Sequence, residues 1–518
     1  MFPLFIPPIL YAETHYRFKY FFSFLKKNEP EIIFDAPHRV EPNVKIPILL
    51  FIKDAHLHPI EIVNVSIIVS GINNYIKIIF IPINLKITEQ FWNQIFYFTP
   101  DKSTPYGYLH FKCEVKIKIR NRQKIIKIDN YRFLKKEPLK IYRSAEKLST
   151  NNKFIFGDLH YHSNFTNDQV EFGAPLNATQ IIASSIGLKF FAVTDHSYDL
   201  DDEVFNFLKN DESLPKWKLI KSEVNTLNKN KNLSKIILGE EVSCRNENDK
   251  NVHLLVLGSD RFIRGSGDSA EKWFRTKSEF TIEEAINEAD SNSVIIAAHP
   301  KEKIPFLHKL FFGRSNWSDF DLFNFSLNGM QILNGENSEA FIIGKQIWIK
   351  LLLDNQKIKI FAGNDAHGNF NNFRQLLIPF FKIVRKDFQI FGRMKTAIKT
   401  TNTNKLLSNI KNNFSVITTG PLMEINLKSK NTIEIIATSN LEFGFINKII
   451  LYIGDTLNKK EIVIYQSKFK KMLKFTNKIK LKNSIENSYV RGEVYTINGN
   501  GIFKNNFCFT NPIYLNEI

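Results

Sequence analysis

Cysteine is scarce in this chain. Cys113, Cys244 and Cys508 are the only three in 518 residues, and they lie far apart. That excludes both a disulfide framework and a Cys-type zinc motif. Long apolar runs are missing too, since no uncharged stretch approaches the roughly eighteen residues of a membrane-spanning helix. Residues 1–27 open with an apolar stretch but lack a positively charged start and carry Pro3, Pro7 and Pro8. They read as a tail, or at most a weak export signal. The reading leans to the cytoplasm, with export through that segment as the alternative. Acidic residues are in deficit, 52 against 70 Lys and Arg, for a formal net charge of +18. The excess sits in the flanks: residues 1–150 carry +10, residues 401–518 carry +8, and residues 151–400 are neutral. Basic flanks can meet nucleic acid or anionic lipid. No dense basic run interleaved with aromatics occurs, so a bias towards Lys, Ile and Asn is the simpler account, and nucleic acid is not favoured.

What is present changes character along the chain. Residues 28–145 hold short β-branched runs, "VKIPILLFI", "IEIVNVSIIVS", "YIKIIFI" and "CEVKIKI", bounded by Pro, Asn, Gly or Asp. They predict a β-sandwich-like domain. A polar linker over 143–153 follows. Across 151–400, apolar strand candidates alternate with helical stretches such as "NATQIIASSIG" and "TIEEAINEADS". That alternation predicts a parallel sheet or a closed barrel. The pair around "GEEVS" and "VHLLVLG" stands too close for a crossover helix and reads as antiparallel. Residues 405–518 return to strands, a second β-sandwich-like domain.

The histidines collect in the middle. "FGDLHYHSNFTND" places Asp158, His160, His162 and Asp168 within thirteen residues. Further strand candidates end in Asp195 and His196, in Glu240 and Glu241, in His299, and in Asp365 and His367, while His253 lies inside a strand. One such strand end is unremarkable. Several together point to a metal centre, because imidazole and carboxylate are the ligands of borderline divalent cations. Alternate residues on a strand point the same way, which suits the His-x-His pair.

"DLHYHS", "TDHS", "GEEVS", "AAHP" and "GNDAHG" resemble, in order, the motifs of the polymerase and histidinol phosphatase (PHP) superfamily. The match spans roughly residues 154–400. The flanking β-rich segments, with a Thr-Gly-Pro turn in "NNFSVITTGPLMEINL", resemble its CehA/McbA-like branch, which includes a carbamate hydrolase. The resemblance implies a distorted (β/α)7 barrel flanked by the two β-rich domains. It implies two or three divalent ions per chain (Zn, Mn or Fe). His160 and His162 would bind the first, Glu241 would bridge first and second, His253 and His299 would complete the second, and Asp365 would also meet the first. Asp168, His196 and His367 would form a third site.

The family's Gly-x-Glu spacing from Gly239 favours Glu241 over Glu240. Asp365, His367, His196 and Asp195 are the candidate catalytic groups; Asp195 would orient a ligand or cap a turn, and His367 or His196 would protonate a leaving group if not committed to metal. Arg245, Lys301 and Lys303 follow these strands and could neutralise phosphate oxygens. Gln331 takes a place where some relatives carry Glu, and no role attaches to it. The expected activity is metal-dependent phosphoester hydrolysis on a small-molecule or phosphorylated substrate. The alternatives are carbamate, amide or ester hydrolysis on the same centre, and a non-catalytic binding protein.

Overall fold

Alternation of buried with half-buried or exposed residues builds the larger sheet of the N-terminal unit. Along Ile60–Ser70, Val65, Ile67 and Val69 face inward, and along Gly107–Ile119 so do Leu109, Phe111, Cys113, Val115 and Ile117. These strands belong to a six-stranded sheet, and a three-stranded sheet of Glu31–Asp35, Ile46–Lys53 and Phe91–Phe98 supplies the facing residues Ile48, Leu50 and Ile52. One apolar layer is thus closed between two sheets, as the period of two requires. The computed structural model describes residues 28–120, 122–148, 153–167, 172–265, 267, 276–304, 309, 313–377, 382–386, 388–429, 431–481 and 487–515, with only the strand backbone for 373–377 and 382–386.

The middle region corrects the expectation of a (β/α)7 barrel. Among the described residues strand outweighs helix about three to one, 45% against 15%. Seven strands follow one another in chain order across a single sheet: Phe154–Asp158, Phe190–Val193, Lys235–Arg245, Asn251–Leu257, Val294–Ala297, Gly329–Asn334 and Lys359–Gly363. The first three run parallel and so do the last three, but Asn251–Leu257 is antiparallel to both neighbours. Nor does the sheet close on itself. Beside Phe154–Asp158 lies the antiparallel strand Lys395–Lys399, then Ser415–Thr418, and the sheet continues into the C-terminal strands as one 14-stranded surface. A short antiparallel strand satisfies the exposed backbone edge directly, leaving no edge for Lys359–Gly363 to pair with. Thr396 links the two instead: its hydroxyl accepts from Ala362 N at 2.9 Å and lies 3.1 Å from Ala362 O.

The two ends of the seven-strand run still meet at their tips. Tyr161–His162 pairs in parallel with Ala366–His367, and Asp365 N donates to His160 O at 2.9 Å. The sheet is therefore strongly curved, and the segments following its first and last strands converge. Helices pack on its outer side. Leu176–Ser185, Pro215–Leu227 and Glu339–Leu353 bury apolar faces, and Ile282–Glu288 starts with a capping box between Thr281 and Glu284. In the C-terminal region Leu422–Ser429, Thr432–Thr438 and Lys474–Lys480 form a three-stranded sheet. Ile425, Ile433, Ile435 and Ala437 pack it against Ile449, Leu451 and Val494 of the large sheet. Among the described residues no helix is long and apolar enough to cross a membrane.

Candidate metal centre

The strand tips bring most of the expected residues together. His160 and His162 flank Tyr161, and both rings turn inward with their Nε2 atoms 3.1 Å apart. Glu241 Oε2 lies 3.1 Å from each of these nitrogens, and Asp365 Oδ1 lies 3.4 Å from His160 and 3.2 Å from His162. The other Glu241 oxygen faces His253 Nδ1 at 2.6 Å and His299 Nε2 at 3.0 Å, while His196 Nδ1 stands 3.3 Å from Oε2. His367 stacks on His162 with centroids 4.2 Å apart. Four overlapping donor groups result: His160, His162, Glu241 and Asp365; His196, Glu241 and His253; His162, His196 and His367; and His299, Glu302 and Asp365. Within each group the donor atoms lie within 4.8 Å of one another. Asp168 lies outside the described residues.

Local backbone explains the convergence. Glu240 and Glu241 are adjacent on a strand, so they face opposite ways. Glu241 enters the cluster, whereas Glu240 accepts from Ser197 Oγ at 3.0 Å and Ile263 N at 3.2 Å. Asp365 and His299 hold φ values of +49° and +27°, a left-handed backbone that turns each side chain off the end of its strand. A Cβ on Gly363 would sit 2.6 Å from His160 Cβ and 2.9 Å from Gln331 Nε2. The close approach of the His160 and Gly363 segments therefore requires glycine there.

Outer partners fix which ring nitrogen faces inward. Gln331 Nε2 donates to Asn334 Oδ1 at 2.9 Å, which leaves Gln331 Oε1 to accept from His160 Nδ1 at 2.8 Å. Thr166 gives its one hydroxyl proton to Asp195 Oδ1 at 2.8 Å, so its oxygen accepts from His162 Nδ1 at 3.3 Å. With both Nδ1 atoms protonated, both Nε2 lone pairs point into the cluster, the tautomer a metal ligand needs. Two lone pairs and two carboxylates facing each other at about 3 Å repel unless protons or cations lie between them.

The proton affinities report that conflict. Burial pulls His160 and His162 down, but the carboxylates of Glu241 and Asp365 outweigh it and hold both rings above the usual histidine range. Burial likewise opposes ionisation of Glu241 and Asp365, yet the surrounding histidines hold both well below the carboxylate range. Divalent cations would take the place of those protons. The donor set, imidazole and carboxylate without thiolate, fits Zn, Mn or Fe. His196 and His367 are held neutral, by burial first and the charge of His162 second, with His367 pushed down to about 3. Neutral rings suit lone-pair donation and not protonation of a leaving group.

Other expected residues stand outside the donor groups. Asp195 offers no atom to the cluster and takes the turn-capping role that was one of its two expected readings. It accepts from Ser163 N at 2.7 Å, Ser163 Oγ at 2.7 Å and Thr166 N at 3.0 Å, so it braces the turn after His162. Arg245 is bound to Asp249 Oδ1 at 3.0 Å and Glu279 O at 3.2 Å. Lys301 is bound to Trp317 O at 2.6 Å and Asp319 Oδ1 at 3.0 Å, and Lys303 is exposed. These local partners draw the first two cations away from the histidines. Among the described residues, Arg314 places a cation beside the cluster, its Nη2 3.3 Å from His253 Nε2.

Sequence reading also passed over Thr166, Glu302 and Gln389, which donates to Asp365 Oδ2 at 3.0 Å, and over Tyr198, stacked on His196 at 4.6 Å. Glu302 carried a faint signal, three residues after His299. The others are ordinary loop residues until the fold places them.

No family model matches the chain, and no curated protein matches it. Among solved structures, a β-D-mannosidase from Dictyoglomus thermophilum is 9% identical, with 94% of this chain and 67% of that one covered, at a TM-score of 0.25. A glycosyl hydrolase family 2 member from Bacteroides cellulosilyticus is 9% identical over 93% and 74%, at 0.15. An FMN-binding β-glucuronidase from Facaelibacterium prausnitzii is 10% identical over 90% and 72%, at 0.20. Scores this low carry no argument about fold or activity, and the site must be read from its own geometry.

Proposed function

We propose that the chain is a divalent-metal-dependent hydrolase, with a phosphoester as its substrate and a metal centre of the type its PHP-like motifs suggest. The observation that carries this reading is the position of Glu241. One buried carboxylate faces five imidazoles, those of His160, His162, His196, His253 and His299, within 2.6–3.3 Å. A carboxylate shared between cations in this way lowers their mutual repulsion. His160 and His162 would hold one ion with Glu241 and Asp365. His253 and His299 would serve a second from the other Glu241 oxygen, and His196 and His367 would serve a third. Bound ions would supply Lewis acidity and acidify a water to a pKa of about 7.

This chain's own residues do the rest. Gln331 and Thr166 hold the proton of each neutral ring on Nδ1, so that Nε2 is the nitrogen a cation would take. Gln389 orients Asp365 and leaves its Oδ1 for the cluster. Arg314 offers positive charge at the rim for an anionic substrate. With Arg245 and Lys301 engaged elsewhere, the surroundings are less cationic than expected, and that favours a second reading, hydrolysis of a carbamate, amide or ester.

Elemental analysis of protein purified with Mn²⁺ or Zn²⁺, together with a panel of phosphoesters and carbamates, tests both readings. More than one ion per chain and turnover of a phosphoester are expected. Glu241→Gln should lose both while keeping its circular dichroism spectrum. Metal content near zero after supplementation overturns the site, and turnover confined to carbamates selects the second reading.

A further inference from the structure

Two rings of the cluster lie nearly parallel. His160 and His299 stack with centroids 5.6 Å apart and 15° between their planes, and each turns Nε2 towards Glu241, at 3.1 and 3.0 Å. Each Nδ1 therefore faces away from Glu241, and the group it meets there decides which nitrogen carries the proton.

Both outward nitrogens lead to one carboxylate. Glu302 N donates to His299 O at 3.1 Å, and that turn brings Glu302 Oε2 to 3.5 Å from His299 Nδ1. The same Oε2 accepts from Asn334 Nδ2 at 3.0 Å, Asn334 Oδ1 accepts from Gln331 Nε2 at 2.9 Å, and Gln331 Oε1 accepts from His160 Nδ1 at 2.8 Å. Gln331 and Asn334 are three residues apart, a spacing that faces them oppositely on a regular strand. The register shift between Gln331 and Leu333 inserts an extra residue and returns both to one side.

The polarity of this chain of hydrogen bonds has one source. An amide can turn over and exchange its donor for its acceptor, so Asn334 and Gln331 alone would leave both directions open. An ionised carboxylate only accepts. With 41% of its side chain exposed, Glu302 keeps enough hydration to stay ionised at neutral pH, although burial raises its proton affinity. It claims the NH2 group of Asn334, which sends the Asn334 oxygen to Gln331 and the Gln331 oxygen to His160. The gap to His299 is longer than a good hydrogen bond, so there the carboxylate acts through its charge.

We propose that Glu302 is a positioning residue for two metal ligands at once, setting the ring proton of His299 directly and that of His160 through the two amides. The inference rests on the metal-dependent reading above and adds to it one group that orients ligands of the first and second ions together.

In protein loaded with Co²⁺, the Nδ1–H protons of His160 and His299 should give two paramagnetically shifted resonances that exchange slowly with water. Glu302→Gln keeps the shape but removes the charge and the fixed polarity. Both protons should then exchange faster and Co²⁺ affinity should fall about 10-fold, with the number of ions per chain unchanged. Asn334→Leu should release the His160 proton alone. Unchanged exchange in Glu302→Gln overturns the proposal, as does an Asn334→Leu variant in which His160 stays protected. Loss of one ion per chain in Glu302→Gln also overturns it, since Glu302 would then be a ligand beside His299 and Asp365. Wild-type protein that takes up no Co²⁺ overturns the metal-dependent reading itself, whereas uptake with unaltered variants sinks only the role of Glu302.

Discussion

Gln331 shows how much one neutral side chain can decide. Its amide oxygen forces the proton of His160 onto Nδ1 and so presents Nε2 to the cluster. Its amide nitrogen ties it to Asn334, which in turn donates to Glu302 at 3.0 Å. Gln331→Leu keeps the volume and removes the acceptor, so metal affinity should fall about 10–100-fold. Competition against a chromogenic chelator measures this, and unchanged affinity would remove Gln331 from the centre. Glu240 provides the contrast to Glu241. Burial raises its carboxyl from 4.5 to about 8, so the folded protein holds a proton that the unfolded chain releases. Stability from this group is present below pH 4.5 and is lost as pH climbs towards about 8. Glu240→Gln keeps the neutral shape, so its melting temperature should gain on the wild type across that interval while metal content stays the same.

At the level of elements, the strand Lys395–Lys399 and the turn that follows Ser415–Thr418 matter most. They join the curved sheet to the C-terminal strands and deny it closure. In the turn Thr419–Gly420–Pro421, Gly420 N donates to Thr418 Oγ1 at 2.8 Å, and a Cβ on Gly420 would fall 2.1 Å from the Phe443 ring. Gly420→Ala should therefore destabilise the protein by about 1–3 kcal/mol, the usual cost of overpacking. Calorimetry should show a lower melting temperature, with metal stoichiometry unchanged. An unchanged melting temperature would mean that the ring yields freely.

For the molecule as a whole, charge is the property that separates its parts. The flanks carry +10 and +8 around a neutral middle. Much of that charge is spread along solvated strand faces, as in Lys474–Lys480, where exposed and half-buried residues alternate. Among the described residues no strand gathers it into a basic run, so binding to DNA or to anionic vesicles should be absent near physiological ionic strength. Turnover of a small substrate should then be nearly independent of salt. Tight binding that weakens steeply with added salt would instead add a polyanion to the partners of this chain.

The sequence by itself determined where the metal-type donors collect and which unit is made of alternating strands. His160, His162, His299, Asp365 and His367 are named by residue type and by position at strand ends, His253 by type within a strand, and Glu241 by its spacing from Gly239. Residue type is local information, and so is a two-residue period. The closure of the sheet was not legible, because it depends on whether Lys359–Gly363 or Lys395–Lys399 reaches the free edge of Phe154–Asp158. Both are five-residue strands, and the choice between them is made by hydrogen bonds across more than two hundred residues of chain. The fates of Arg245 and Lys301 were hidden for the same reason: a cation near a motif goes to whichever carboxylate or carbonyl the fold brings closest. Gln331, Thr166 and Arg314 gain their roles only when the curved sheet sets them against His160, His162 and His253. A side chain's type is written in the sequence, but its partner is settled by tertiary contact.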